Sequence, residues 1–171
     1  MNRPAIKFGL LQGLLLGLGF FGSHLVLGAD PENFAVSEIV GYSIIVLCSV
    51  LIFTGMLAFR RHRLPQTTGF RAALWTGVQI SLVGSALFAA YNWFYLEFIN
   101  PEFTSTYMTW SEEQIRNSGL SADTIERQLQ ELATYGDLMS NNFLQAMVMF
   151  ATVFIIGLLC ALVGAAAIRN E

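Results

Sequence analysis

Four stretches of this chain, residues 9–29, 39–59, 72–96 and 138–168, contain no Asp, Glu, Lys or Arg. Each is long enough to cross a ~30 Å hydrocarbon core as a helix, which takes ~20 apolar residues. Charged residues make up only 12% of the chain, about half the ~25% usual in soluble domains. A soluble fold burying four such helices would have too little polar surface to cover them. The sequence therefore predicts an all-α, polytopic membrane protein: a single four-helix-bundle domain over residues 1–171, with spans near 6–27, 39–59, 70–98 and 142–168.

Arg3 and Lys7 ahead of the first run suggest a secretory signal, but the run exceeds the ~7–15 apolar residues of a signal core. The best cleavage candidate, "VLGAD", has Leu27 where a small residue is needed. A retained first span is the expectation. The basic residues then set orientation. Arg3, Lys7, Arg60, Arg61, Arg63, Arg71 and Arg169 fall on one side, and only Arg116 and Arg127 on the other. The positive-inside rule predicts cytoplasmic termini and a cytoplasmic "RRHRLPQTTGFR" turn, broken at Pro65 and Gly69. Arg60, Arg61, Arg63 and Arg71 read as a topology signal that also meets anionic lipid headgroups, at ~1 kcal/mol per basic residue. Cys48 and Cys160 lie inside spans at depths differing by roughly 10 Å or more, too far apart for a disulfide.

The long loop 100–141 is the soluble-like part and carries seven carboxylates, Glu102, Glu112, Glu113, Asp123, Glu126, Glu131 and Asp137. Short amphipathic helices are expected in it. Ser111 and Gln114 fit a capping box for one, closed by Gly119. Ser121 starts a second through about Thr134, where Ile125, Leu129 and Leu132 form an apolar stripe suited to packing on the bundle. Ser140 or Asn141 caps the fourth span.

In lipid, helices associate through close packing and a few hydrogen bonds, so small residues gather where they meet. Gly9, Gly13 and Gly17 step by four along span 1, as do Gly77, Ser81 and Ser85 along span 3; span 4 has Gly157, Ala161 and Ala165. These faces suit packing within one chain or, for the span 1 glycines, a homodimer. Leu11, Leu14, Leu15, Leu18 and Leu25 fall elsewhere, toward lipid. Polar residues within spans are costly and mark candidate sites. Gln12, His24, Gln79 and Asn92 are those residues; they form a candidate polar cleft, with interhelical hydrogen bonding as the plainer reading.

No charged residue sits mid-span, which argues against ion-coupled transport. His24 and His62 fall on opposite sides of the membrane, so they form no two-histidine metal site. The span 1 glycines lack the strand and the Lys-Ser/Thr of a phosphate-binding loop. No enzymatic activity, cofactor, metal or nucleic-acid partner is expected. Membrane lipids, further copies of the chain or another membrane protein are the expected partners.

The stretches "MLAFRRHRLPQTTGFRAALWTG", "YLEFINPEF" and "FLQAMVMF…GLLCALVGAAAIRNE" resemble a bacterial family catalogued as domain of unknown function 4199. The matching features are the arginines ending span 2, Gly69-Phe70-Arg71 with Gly77, and Asn100-Pro101 with Phe103. The resemblance implies four spans with a long third loop, and no biochemical function. Members often carry a Glu and a Pro before the glycine of span 4, where this chain has Thr152 and Ile155. With a bacterial family, the orientation implies the inner membrane, with loop 100–141 periplasmic. A non-catalytic interaction or assembly subunit is the leading expectation. The alternative is a transporter or channel component handling a lipid or small amphiphile.

Overall fold

A computed structural model describes residues 2–63 and 69–168. Among them the chain forms six α-helices and no strand: α1 (Arg3–Leu27), α2 (Phe34–Arg63), α3 (Phe70–Phe94), α4 (Phe103–Arg116), α5 (Ala122–Met139) and α6 (Asn142–Ile168). A 3-10 turn, Pro31–Asn33, leads into α2, and a π-helical turn, Tyr95–Ile99, extends α3. The molecule is an all-α bundle in which α1, α2, α3 with its π turn, and α6 are long and apolar enough to cross a membrane. The side chain of Arg63, the segment with the expected break at Pro65, and Arg169 lie outside the described residues.

The four long helices run up, down, up and down. Asn2 of the α1 cap meets Gln79 and Gly17 faces Tyr91, so α1 and α3 are parallel neighbours. Gly77 faces Ala161 and Gly157 faces Ser81, so α6 runs antiparallel to α3. Helix α2 closes the ring between α1 and α6 and also reaches α3. More than half of α3's apolar stretch is buried, against 17–28% in the other three. Arg3, Lys7, Arg60, Arg61 and Arg71 share one end of the bundle, the basic end. Helices α4 and α5 cover the other, the cap end.

Two apolar clusters fill the interior. Ile52, Met56, Ile80, Ala161, Ala165 and Ile168 pack toward the basic end, with Cys160 at their edge. Leu16, Ile45, Phe88 and Val153 pack toward the cap, with Cys48 at theirs. Both cysteines are free. The outward leucines of α1, among them Leu14, Leu18 and Leu25, are exposed, as a lipid-facing stripe must be.

Local chemistry explains most of the helix ends. The Asn2 side chain accepts from the Ala5 N–H at 2.8 Å, and Pro4 sits in the first turn, where its missing donor costs nothing. Gly28 ends α1 with φ +72°, a region glycine enters without a Cβ penalty. Asn141 caps α6 by accepting from the N–H groups of Phe143 and Leu144. The capping box at Ser111 is not used: α4 already begins at Phe103, and Ser111 lies inside it. Phe103, Tyr107 and Trp110 recur at i, i+4 and i+7, and all three rings pack on buried Phe34. That shared contact carries the helix upstream past the local signal. Helix α5 likewise runs to Met139, beyond the expected end near Thr134.

Candidate functional site

Charge-free helices in lipid gain little from apolar burial alone, so close approach matters. Helices α1 and α3 approach very closely. A Cβ on Gly9 would lie 2.6 Å from Val83 Cβ and 2.8 Å from the Ile80 carbonyl oxygen. One on Gly13 would lie 2.7 Å from Leu87 Cβ and 2.9 Å from the Gly84 carbonyl oxygen. At Gly17 the gap relaxes to 3.4 Å, against the Tyr91 ring. All three glycines thus face α3 of the same chain. Gly77 and Ser81 face the other way, toward α6. A Gly77 Cβ would be 2.6 Å from Ala161 Cβ, and the Ser81 hydroxyl donates to the Phe154 carbonyl at 3.2 Å. Ser85 is buried and bonds back to the Ser81 carbonyl of its own helix.

Polar groups occur at three levels along the α1–α3 seam. At the basic end, the Asn2 backbone N–H donates to Gln79 Oε1 at 3.2 Å and its side-chain amide to Thr76 Oγ1 at 3.1 Å. At the cap end, the Tyr95 hydroxyl pairs with His24 Nδ1 at 3.0 Å and accepts from the Asn100 amide at 3.3 Å. The π turn builds this cluster. The Asn100 N–H reaches the Tyr95 carbonyl at 2.8 Å, and Pro101 stops the helix beyond it. Between the two levels lies Gln12, fully buried, with neither amide atom hydrogen-bonded. Its side chain rests on Gly84, where any Cβ would collide with it.

The structure therefore brings Gln12, Gln79 and His24 onto one seam but not into one cleft. Asn92 lies apart: its spacing from Ser81 and Ser85 puts it on the face turned to α6, and its buried Oδ1 has no partner. Arg60 is half-buried, while Arg61 and Arg71 are exposed at the basic end. Sequence reasoning missed Asn2 and Tyr95 as the partners of Gln79 and His24, and Thr76 and Asn100, which hold those two partners in turn.

Another feature it missed is aromatic. Ring contacts run from Phe20 and Phe88, 4.8 Å apart, through Tyr91, Tyr95 and Phe103 to Tyr107 and Trp110 at the cap, with centroid steps of 5.6–6.2 Å after the first. The signal was present as aromatic residues three and four apart. The same region ties the cap to α2 and α6, and α6 to the turn after α3. Tyr107 donates to Glu38 of α2, Thr104 donates to Gln145 of α6 at 2.9 Å, and Asn142 of α6 donates to Glu97 after α3 at 2.9 Å.

Burial pushes the Tyr107 hydroxyl well above the usual tyrosine range, and the bond to Glu38 and its charge act in the same direction. The folded state thus favours the neutral phenol. Its contribution is fully present below the unfolded pKa of about 10 and is lost as pH rises through the folded value. In a variant that keeps Trp110 alone (Trp75→Phe, Trp93→Phe), tryptophan fluorescence should report cap loosening only at a pH well above the ordinary tyrosine value of about 10. Tyr107→Phe should abolish that transition. A transition at the ordinary tyrosine pKa would contradict the buried, bonded state of Tyr107.

Among the described residues no group of three His, Cys, Asp or Glu could hold a metal ion. Glu112 pairs with Arg116 at 2.6 Å, while Glu113, Asp123, Glu126, Glu131 and Asp137 are exposed. The arrangement locks helices together and presents an acidic, helical cap.

The model of a family described as "Protein of unknown function (DUF4199)" matches residues 7–170. That is nearly the whole chain, and the chain belongs to this family. No curated protein and no solved structure matches it.

Proposed function

We propose that this member of the DUF4199 family is a multi-pass protein of the bacterial inner membrane that acts as a non-catalytic interaction or assembly subunit. Its basic end lies in the cytoplasm and its cap in the periplasm, a reading supported by the distribution of basic residues. One observation carries the functional reading. The acidic cap is anchored to α2 and α6 through the Tyr107–Glu38 and Thr104–Gln145 hydrogen bonds, and to the turn after α3 through the Phe103 ring on Tyr95. A mere connecting loop needs no such anchoring. A surface held at fixed geometry for a partner does. The exposed carboxylates of α5 suit a partner with a basic face, whether another membrane protein or a further copy.

Photo-cross-linking in native membranes tests this. A photoreactive side chain at Glu126 or Glu131 should give a discrete adduct, and one at lipid-facing Leu47 should not. If the cap positions give no adduct and the protein leaves mild detergent alone and monomeric, the reading fails.

A second reading, a transporter or channel component handling a lipid or small amphiphile, is favoured by one observation. The Gln12 amide is buried midway along the seam with both polar atoms unpartnered, which makes it available to a passing polar group.

A further inference from the structure

Lipids exchange freely along a uniformly apolar belt. Holding one selectively takes a concave surface with a fixed charge at headgroup depth. The basic end of α3 has both. Arg71, Ala72, Leu74, Trp75 and Val78 line an open, largely apolar groove of about 660 Å³, within the ~300–1,000 Å³ range typical of ligand sites. Its inner wall is firm, because Leu74 packs against the core cluster of Ala73, Ala161 and Ile168. Its outer side is open, with Trp75 62% exposed and Leu82, seven residues further along the helix, also exposed. Arg71 stands four residues before Trp75, on the same helix face. It is exposed and has no acidic partner among the described residues. No described carboxylate lies at this end, whereas Arg60, Arg61 and His62 end the neighbouring α2 there.

We infer that this groove holds one anionic phospholipid, its headgroup phosphate on the Arg71 guanidinium and an acyl chain along Trp75 and Val78. Charge complementarity selects the occupant: an unpaired guanidinium at the mouth of an apolar groove matches a headgroup of net negative charge above a hydrocarbon tail. The inference rests on the membrane placement proposed above and is independent of what the cap binds. A tryptophan that served only as an interfacial anchor would show no headgroup preference.

Brominated lipids quench tryptophan on contact and so read the site directly. The full-length protein would be reconstituted in two single-tryptophan forms, one keeping Trp75 (Trp93→Phe, Trp110→Phe) and one keeping Trp93 (Trp75→Phe, Trp110→Phe). Brominated phosphatidylglycerol and brominated phosphatidylcholine would be compared at equal mole fraction. The expected result is about fivefold enrichment of the anionic lipid at Trp75, the factor equivalent to ~1 kcal/mol for one basic group. Arg71→Gln should remove the preference, and Trp93 should be quenched alike by both lipids. Equal quenching of Trp75 by the two lipids overturns the inference, and so does a preference that survives in Arg71→Gln. Loss of quenching at Trp93 with both lipids would overturn the membrane placement itself, a separate and distinguishable failure.

Discussion

Gly13→Ala should lower the midpoint of thermal unfolding in mild detergent, with a loss on the order of 1–3 kcal/mol, as for overpacked sites. Gly22→Ala should leave it unchanged or raise it slightly. The contrast isolates close approach from helix propensity, because alanine is the better helix former at either position. At Gly13 the new methyl would sit 2.7 Å from Leu87 Cβ and 2.9 Å from the Gly84 carbonyl oxygen. The Leu87 chain can turn, but a Cβ atom and a backbone oxygen cannot yield without moving α3. At Gly22 nothing lies within 4 Å. Gly9→Ala should behave like Gly13→Ala, since it meets Val83 Cβ and the Ile80 carbonyl. Gly17→Ala should be tolerated, its methyl making an ordinary contact with the Tyr91 ring. Equal midpoints for Gly13→Ala and Gly22→Ala would show that α1 does not seat on α3 this closely.

Replacing Gln12 by methionine should act in the opposite direction. A buried amide with neither atom bonded carries a desolvation cost of roughly 1–3 kcal/mol. Methionine keeps an unbranched chain of similar length and removes the polar atoms, so Gln12→Met should raise the unfolding midpoint by a comparable amount. The side chain lies against the bare backbone of Gly84, and Gly84→Ala would drive a methyl into its amide. Gly84→Ala should therefore destabilise the wild type more than it destabilises Gln12→Met, whose flexible thioether can yield. The same pair separates the two functional readings. A stabilised Gln12→Met protein that still gives the cap cross-link leaves the seam purely structural. A destabilised one shows that the amide has a partner in the membrane, which the transport reading requires.

The parts of this architecture that were legible in the sequence were those decided locally. Span length and the absence of charge are properties of one segment and one solvent, so the four long helices could be read directly. The cap of α6 at Asn141 was readable for the same reason: an Asx side chain and the N–H groups two and three residues on suffice. Ser111 shows where this stops. Its capping box is a valid local signal, overridden because Phe103, Tyr107 and Trp110 all gain a contact with Phe34, a residue far away in sequence. The candidate cleft was partly legible in the same way. Gln12, Gln79 and His24 were recognisable as polar residues in apolar runs, but Asn2 and Tyr95, the partners of Gln79 and His24, stand on other segments, and Gln12 has none.

By itself, then, the sequence determined that this chain makes four long apolar helices, that three of them carry a face of small residues, and that basic residues gather at one end. Only the tertiary structure decided which faces meet. Gly9, Gly13 and Gly17 seat on α3, Gly77 and Ser81 turn to α6, and Gln12 is caught between backbones without a partner. The physical reason is that a small-residue face marks a helix as able to approach closely without saying what it approaches. In lipid the choice is made by the fit of two surfaces, and a pattern along one helix describes only one of them.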